Sequence, residues 1–227
     1  MAHVIAFLNP KGGTGKTTLS INIARAFQQV GYRVLIVDTD PQGTARDWRA
    51  ASQTFYPEAN MPAVVAIDRP TLETDIPVIG VSFDIIIIDG AAKLHQLTAS
   101  ALKAADTVLI PLQTSAADIW SAQDLVEMIK TRHNITSGRP KTAFVVNRQT
   151  VGSRLAADVD QALHEHGLPI LAARTSNRVV YMEILSSGTT VVDLRPPGPA
   201  TQEILALREE LVTFAGLKPV LKPAEVS

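Results

Sequence analysis

The sequence predicts an α/β fold, a single domain with a mostly parallel β-sheet flanked by helices on both faces. Two observations indicate this architecture. Short, continuous apolar runs recur along the 227-residue chain, and segments with apolar residues at helical spacing lie between them. Apolar runs without polar alternation are typical of parallel strands that are covered on both faces. Repeated strand–helix units imply an open sheet wrapped by helices, with any site at the carboxyl ends of the strands.

The strands are predicted from the apolar runs. The run at 84–89 is the clearest, because it contains four consecutive isoleucines and β-branched residues favour strands. Short runs at 63–67 and 168–172 are weaker candidates. The clear strands are predicted at 3–8, 33–38, 84–89, 107–111 and 142–147.

The helices are predicted from apolar residues that recur three and four positions apart. The first helix carries Leu19, Ile23, Phe27 and Val30 on one face. Gly31 can end this helix, because glycine readily adopts the left-handed conformation of a helix C-terminus. Further helices are predicted around Ala122, Leu125, Val126 and Ile129, around Leu155, Val159 and Leu163, and around Ile204, Leu207, Leu211 and Phe214.

Length and composition are those of one globular domain, predicted to span residues 1–217, with a flexible C-terminal tail at 218–227. Hydrophobic residues make up 46% of the chain and charged residues 19%, and a chain of this size can bury one sizeable core. Residues 49–82 contain four prolines and little periodicity, and are predicted to form a surface connection around the short strand at 63–67. No signal peptide is evident, and no apolar run approaches the roughly 20 residues of a membrane span.

Composition also excludes several kinds of bond and metal site. The chain contains no cysteine, which excludes disulfides, thiolate metal sites and iron–sulfur clusters. The five histidines have no spacing typical of a metal site. The net charge of −1 gives no overall attraction to nucleic acid, so DNA binding would need a local basic patch.

Residues 10–18, Pro-Lys-Gly-Gly-Thr-Gly-Lys-Thr-Thr, form a glycine-rich loop between the first strand and the first helix. Its glycines let backbone N–H groups turn inward around phosphate oxygens, and the helix that follows adds its positive dipole end. Lys16 would neutralise the β- and γ-phosphates, and the hydroxyl of Thr17 would bind Mg²⁺. The loop therefore predicts ATP or ADP, with Mg²⁺, as the ligands.

Two residues of this loop depart from the ordinary phosphate-binding pattern. Pro10 stands where that pattern has glycine, and Lys11 is an additional lysine. The sequence Lys-Gly-Gly-x-Gly-Lys-Thr-Thr resembles the deviant Walker A motif of the ParA/MinD ATPase family, in which the additional lysine crosses a dimer interface to the partner's nucleotide. The resemblance places adenine recognition near Asn147 and Arg148, although a turn at Asn147 is an alternative. It implies further nucleotide contacts from Lys11, Gly12, Gly13, Thr14, Gly15, Lys16, Thr17 and Thr18.

Three aspartates lie at the ends of predicted strands. Asp38 and Asp40 belong to Asp-Thr-Asp-Pro-Gln, which resembles the Walker A′ motif of partition ATPases, and Asp89 follows the isoleucine run as in a Walker B motif. The resemblance implies that Asp38, Asp89 and Thr17 hold Mg²⁺ or its waters, and that Asp40 orients or deprotonates the attacking water. A strand-ending turn or a helix cap is the alternative for these aspartates. The catalytic residues implied by the resemblance are Lys11, Lys16 and Asp40.

The resemblance is closest to the small ParA proteins of the ParF type, because the loop begins at residue 10 and leaves no room for an N-terminal DNA-reading domain. It implies an ATP-dependent homodimer in the cytoplasm, associated with the nucleoid and not with a membrane. It also implies a small adaptor protein of the ParB or ParG kind that stimulates ATP hydrolysis. DNA would bind without sequence preference to a basic patch, for which scattered solvated charges are the alternative. The candidate DNA contacts are Arg174, Arg178 and Arg195.

The cargo is left open by the sequence. It is plasmid or chromosome DNA in the leading hypothesis, and a protein assembly such as a carboxysome or a chemotaxis cluster in the alternative. A MinD-like membrane ATPase and an amide-forming synthetase of the cobyrinate or dethiobiotin type share the loop. The C-terminal tail contains two prolines and does not predict a membrane-binding amphipathic helix. Asp-Thr-Asp-Pro-Gln and the length of the chain argue against a synthetase.

Overall fold

A computed structural model describes residues 1–92, 95–150 and 161–218 and contains a six-stranded sheet in the order β3-β2-β4-β1-β5-β6. All neighbouring strands in this sheet are parallel. The predicted α/β fold is therefore confirmed. The strands are β1 (His3–Phe7), β2 (Val34–Asp38), β3 (Ala63–Ala66), β4 (Ile85–Asp89), β5 (Thr107–Leu112) and β6 (Lys141–Val146).

Helices cover both faces of the sheet. The α-helices that lie wholly within the described residues are α1 (Lys16–Gln29), α2 (Thr44–Phe55), α3 (Leu72–Ile79), α4 (His95–Ala104), α5 (Ala116–Ser121), α6 (Gln123–Thr136), α7 (Val180–Ser187) and α8 (Pro199–Ala215). Ile85 and Ile87 of β4 pack in a core with α1, α7 and α8, whereas Ile86 and Ile88 pack in a second core with α3, α4 and α6. Because successive strand residues point to opposite faces, this apolar run is buried on both sides.

The helical spacing identified α1, α6 and α8 correctly. Helix α1 ends at Gln29, and Gly31 beyond it has φ 102°, so the predicted glycine lies at the helix end. In the third predicted helix, Leu155 and Val159 lie outside the described residues, whereas Leu163 is buried. Of the predicted tail, only residue 218 lies within the described part of the chain.

Two predictions from the sequence were wrong. Residues 49–82 are not only a surface connection, because they contain the end of α2 and all of α3. Helix α3 has eight residues and contains Pro77, so its apolar pattern is too short to stand out, although Leu72 and Ile76 anchor it in the core. The predicted strand at 168–172 is a single bridge between Ile170 and Phe144 of β6.

The register of the sheet brings the candidate functional residues together. Asp38, the last residue of β2, lies beside Asp89, the last residue of β4, and Asp89 lies beside Phe7, the last residue of β1. The glycine-rich loop at 10–18 follows β1 directly. The loop and two of the three predicted aspartates therefore meet at one edge of the sheet, where strand ends in such folds form binding sites.

Helix α7 ends so close to α2 that the glycine at this point has no room for a side chain. Gly188, which follows α7, has φ 70°, and a Cβ atom there would lie 2.2 Å from the backbone nitrogen of Ser52 in α2. Beside it, the indole nitrogen of Trp48 donates a 2.7 Å hydrogen bond to the carbonyl of Thr189. The end of α7 therefore packs directly against the backbone of α2.

Gly188→Ala is expected to lower the free energy of unfolding by about 2–4 kcal/mol, because alanine is strained at a positive φ and its Cβ meets backbone. Gly138→Ala is the matched control, since Gly138 has φ 84° but a Cβ atom there would meet no atom within 4 Å. The control should cost about 1 kcal/mol from conformational strain alone. Urea unfolding of both variants measures the difference, and equal destabilisation would show that the packing of α7 on α2 tolerates the added methyl group.

Candidate nucleotide-binding site

The glycine-rich loop turns from β1 into the N-terminus of α1. Gly15 caps this helix in the left-handed conformation, with φ 90°. A Cβ atom at Gly15 would lie 2.0 Å from the side-chain nitrogen of Asn147, whereas one at Gly12 would meet no atom within 4 Å. The loop is therefore packed tightly on the side of β6 and open at Gly12, which leaves room for an anion at the positive end of α1.

Side chains that follow β5 and β6 hold the loop in place. Asn147 donates a 2.6 Å hydrogen bond to the carbonyl of Thr14, and its side-chain oxygen accepts a bond from the hydroxyl of Thr175. Arg148 and Gln113 both donate to the carbonyl of Gly13, at 3.2 Å and 3.0 Å. The adenine role of Asn147 and Arg148 stays a prediction, and the bonds seen here support the loop.

Asn9 and Gln113 were not predicted from the sequence. Asn9 accepts a 2.8 Å bond from the backbone N–H of Lys11 and donates another to the carbonyl of Pro111. The one signal that could have identified both residues is that each is polar and lies within two positions of the end of a buried strand.

Lys16 is buried at the mouth of the loop. Its ammonium group donates a 3.0 Å bond to the carbonyl of Lys11. Burial lowers the pKa of Lys16, against the attraction of the Asp89 and Asp40 carboxylates. These carboxylates and the loop therefore surround the group that was predicted to neutralise phosphates, and Thr14 and Thr18 beside it are also buried.

Asp89 has the chemistry of a magnesium ligand. Its side chain is buried, and one carboxylate oxygen accepts a 3.1 Å bond from the hydroxyl of Ser20. The other oxygen has no hydrogen-bond partner among the described residues. Burial raises the pKa of this carboxyl from 3.8 to about 7. A buried carboxylate oxygen without a partner fits a hydrated Mg²⁺, which prefers oxygen ligands and keeps several of its waters.

Asp38, by contrast, uses both carboxylate oxygens within its own loop. One oxygen accepts the backbone N–H of Asp40 at 3.0 Å. The other accepts the backbone N–H of Arg46 at 3.2 Å and its guanidinium at 3.3 Å. Burial raises the pKa of Asp38, although the bonds from Asp40 and Arg46 oppose this effect. Asp38 thus organises the Asp-Thr-Asp-Pro-Gln turn, and Asp40 beside it is only half-buried.

Lys11 is paired within its own chain. Its ammonium group lies 2.6 Å from a carboxylate oxygen of Asp118, whose side chain is 3% exposed, whereas that of Lys11 is 39% exposed. The hydroxyl of Ser115, the residue that caps α5, donates a 2.6 Å bond to the other oxygen of Asp118. No sequence pattern predicted Asp118, because it lies more than a hundred positions from the loop.

The three candidate DNA contacts lie in different surroundings. Arg178 forms a 2.9 Å ion pair with Glu203 of α8, and both side chains are partly buried. Arg195 is exposed and donates to the backbone carbonyls of Val192 and Leu194. Arg174 is half-buried and is also engaged in an interaction. Their role in DNA binding stays a prediction.

Known proteins resemble the chain along most of its length. Over residues 5–191 the chain matches the family model described as the CobQ/CobB/MinD/ParA nucleotide binding domain. It is 29% identical over 213 residues to a maintenance of carboxysome distribution protein A from Halothiobacillus neapolitanus, covering 93% of this chain and 97% of that protein. It is 27% identical over 238 residues to the chromosome-partitioning ATPase Soj from Thermus thermophilus, covering 92% and 94%.

Solved structures share the fold at lower identity. Apo McdA from Cyanothece superposes with a TM-score of 0.76 at 18% identity, covering 93% of this chain and 100% of that one. The cell division ATPase MinD from Pyrococcus furiosus superposes with a TM-score of 0.71 at 21% identity, covering 94% and 99%.

No helix in the described part of the chain is long and apolar enough to cross a membrane.

Asp89→Asn is expected to stabilise the ligand-free protein at high pH. Because folding raises the pKa of Asp89 from 3.8 to about 7, the folded state loses stability as the pH rises between these values, and the full cost persists above them. Asparagine removes this cost, which is on the order of 2–4 kcal/mol at pH 8 and small near pH 4. Chemical unfolding at both pH values measures it. A variant that is equally destabilised at pH 4 and pH 8 would contradict the proposed burial of an ionised carboxylate.

Proposed function

The chain belongs to the CobQ/CobB/MinD/ParA family of nucleotide-binding domains, and on that premise we propose that it is a ParA-type ATPase. ATP drives its dimerisation, the dimer binds nucleoid DNA without sequence preference, and hydrolysis stimulated by a small ParB- or ParG-like adaptor releases it. The observation that carries the proposal is the additional lysine of the loop, Lys11, together with the Asp40 and Asp89 carboxylates that lie near Lys16. An ordinary phosphate-binding loop needs only the lysine at the position of Lys16.

Hydrolysis would rest on positioning and on charge. Lys16 and the N–H groups of residues 12–18 bind the phosphates, and Asp40 orients the attacking water. Asp40 is close enough to Lys16 to affect its pKa, which supports this placement. Thr17, Asp38 and Asp89 would hold Mg²⁺ or its waters, and the metal would supply positive charge to the phosphates. No covalent intermediate is needed, since phosphoryl transfer depends on alignment and charge neutralisation.

Dimerisation would require Lys11 to exchange partners. In the single chain its ammonium group lies on Asp118 of α5. To reach the partner's phosphates it has to leave this carboxylate, and the new contact has to be stronger than the old one. A γ-phosphate then favours the dimer, and its loss favours the monomer. Trp120, on the same helix and 71% exposed, is of the residue type that anchors protein interfaces.

The names of the relatives point to two different kinds of cargo. One relative of similar length is named for carboxysome distribution and another for chromosome partitioning, at almost equal identity. We propose plasmid or chromosome DNA as the cargo, with a protein assembly such as a carboxysome or chemotaxis cluster as the second candidate. Identification of the adaptor would decide, since a DNA-binding adaptor indicates DNA and a shell or chemotaxis protein indicates a protein cargo.

Two other functions have less support. A MinD-like membrane ATPase would need a membrane-binding segment, which the two prolines of the C-terminal tail do not favour. An amide-forming synthetase shares the fold, since a cobyrinic acid a,c-diamide synthase superposes with a TM-score of 0.73 at 21% identity. The Asp-Thr-Asp-Pro-Gln turn favours the partition type of ATPase instead.

The proposal is tested by the size of the protein in ADP and in ATP. Wild type should be monomeric with ADP and dimeric with ATP, as measured by light scattering. Lys11→Ala should bind ATP but remain monomeric, because each dimer would lose two charge-assisted bonds of about 1.5–3 kcal/mol. Dimerisation should weaken by roughly two to four orders of magnitude. Asp118→Asn is the companion variant, and it should dimerise at lower protein concentration because Lys11 is released.

A Lys11→Ala protein that dimerises like wild type at equal ATP occupancy would refute the cross-subunit role of this lysine. A wild-type protein that stays monomeric in ATP would refute the dimerisation switch itself.

DNA binding should require ATP, be indifferent to sequence and weaken at high salt, because phosphate contacts release counterions. Arg174→Ala combined with Arg195→Ala should reduce affinity and flatten the salt dependence by about one unit of slope for each arginine that binds a phosphate. ATP affinity should not change. Fluorescence anisotropy with two unrelated duplexes over a salt series makes the measurement, and Lys130→Ala in α6 is the control. A strong preference for one duplex would contradict nonspecific binding.

A further inference from the structure

Arg46, in the first turn of α2, lies across the turn that contains Asp38 and Asp40. Its guanidinium donates to the Asp38 carboxylate at 3.3 Å, to the carbonyl of Asp40 at 2.9 Å and to the carbonyl of Pro41 at 3.3 Å. One side chain therefore joins the start, the middle and the later part of the turn. Neither motif that the sequence suggested assigns a role to this arginine.

The backbone of the turn is built to accept this side chain. Gly43, the N-cap of α2, has φ 71° and no side chain that could cap the helix. Asp38 takes over the capping role, because its carboxylate accepts the backbone N–H of Arg46 at 3.2 Å. A Cβ atom at Gly43 would lie 2.7 Å from the guanidinium of Arg46, so glycine also leaves room for the arginine to fold back over the turn.

Asp40 is held at its backbone while its carboxylate stays at the surface of the site. Its N–H donates to Asp38 and its carbonyl accepts from Arg46 and from the N–H of Gly43. Its carboxylate accepts a 2.9 Å bond from the N–H of Gln42. The position of this carboxylate relative to the phosphate loop therefore depends on the conformation of the turn that Arg46 spans.

We propose that Arg46 is a positioning residue for hydrolysis, which holds the turn so that the Asp40 carboxylate faces the nucleotide. This inference rests on the proposed ATPase function. Arg46 acts through Asp40 and does not itself bind the nucleotide, because the three groups that it bonds are all in the turn. Its side chain is 42% exposed, so its removal opens no cavity in the core and should leave the fold intact.

The test compares Arg46→Ala, Arg46→Lys and Arg49→Ala in two assays. Arg49 lies one turn further along α2 and makes none of these contacts, so its replacement removes a charge from the same helix and nothing from the turn. Without nucleotide, hydrogen exchange of the amides of Asp40, Gln42 and Gly43 should accelerate about tenfold or more in Arg46→Ala, because bonds to charged groups stabilise the closed turn. The amides of α1 should not change.

In steady-state assays, kcat of Arg46→Ala should fall by about ten- to a hundredfold, while the Kd for ATP stays within about twofold. Arg46→Lys should remain impaired, since an ammonium group can pair with Asp38 but cannot span both carbonyls. In an Asp40→Ala background the additional change Arg46→Ala should cost nothing further, because residues that act as one unit are not additive. Arg49→Ala should behave like wild type in both assays.

Full activity of Arg46→Lys would overturn the proposal, since charge alone would then suffice. Loss of ATP affinity with unchanged kcat in Arg46→Ala would overturn it as well, because the guanidinium would then bind the nucleotide. Unchanged exchange in the turn would refute the contact on which the inference rests. If wild type hydrolyses no ATP, the proposed function fails, and the exchange data still decide whether Arg46 holds the turn.

Discussion

The register of three neighbouring parallel strands is the constraint on which the site depends. Asp89 ends β4 beside Asp38 at the end of β2 and beside Phe7 at the end of β1. A shift of β4 by one residue would turn its side chains to the opposite face and would move Asp89 out of register with Asp38 and Phe7. The strand pairing that holds the sheet together therefore also fixes the distance between the two carboxylates and the loop. Stability of the sheet and geometry of the site have a common cause.

Such a site lowers the stability of the ligand-free protein, because it buries charged groups away from water. Burial raises the pKa of Asp89 to about 7 and lowers that of Lys16, so each group is held in surroundings that disfavour its charged form. Asp38 escapes part of this cost, since the turn satisfies both of its oxygens. Perturbed pKa values of this kind are typical of functional sites, and a ligand that supplies the missing partners would recover part of the free energy that burial costs.

Sequence patterns predicted the parts of the structure that depend on residues close together in the sequence. The apolar runs located the sheet, because buried parallel strands need nothing but continuous apolar residues, and the loop at 10–18 could be identified from nine residues. Helix α3 escaped prediction, since Leu72 and Ile76 are its only buried side chains. Asp118 and Gln113 escaped for a different reason: each reaches the loop from about a hundred positions away, and nothing in the sequence around them records that contact.

The charges of the single chain leave little positive charge for a triphosphate. Lys11 is paired with Asp118, and Arg46 with Asp38. Lys16 interacts with both Asp89 and Asp40, so its charge is already shared between two carboxylates. A triphosphate placed on this loop would meet cations that are already paired with carboxylates, and its repulsion by those carboxylates is strong where water is excluded. In the proposed complex, Mg²⁺ and a lysine from a second subunit would supply what the chain lacks. Balanced charge in the monomer thus gives a physical reason why a site of this design should need two subunits to hold ATP in its reactive form.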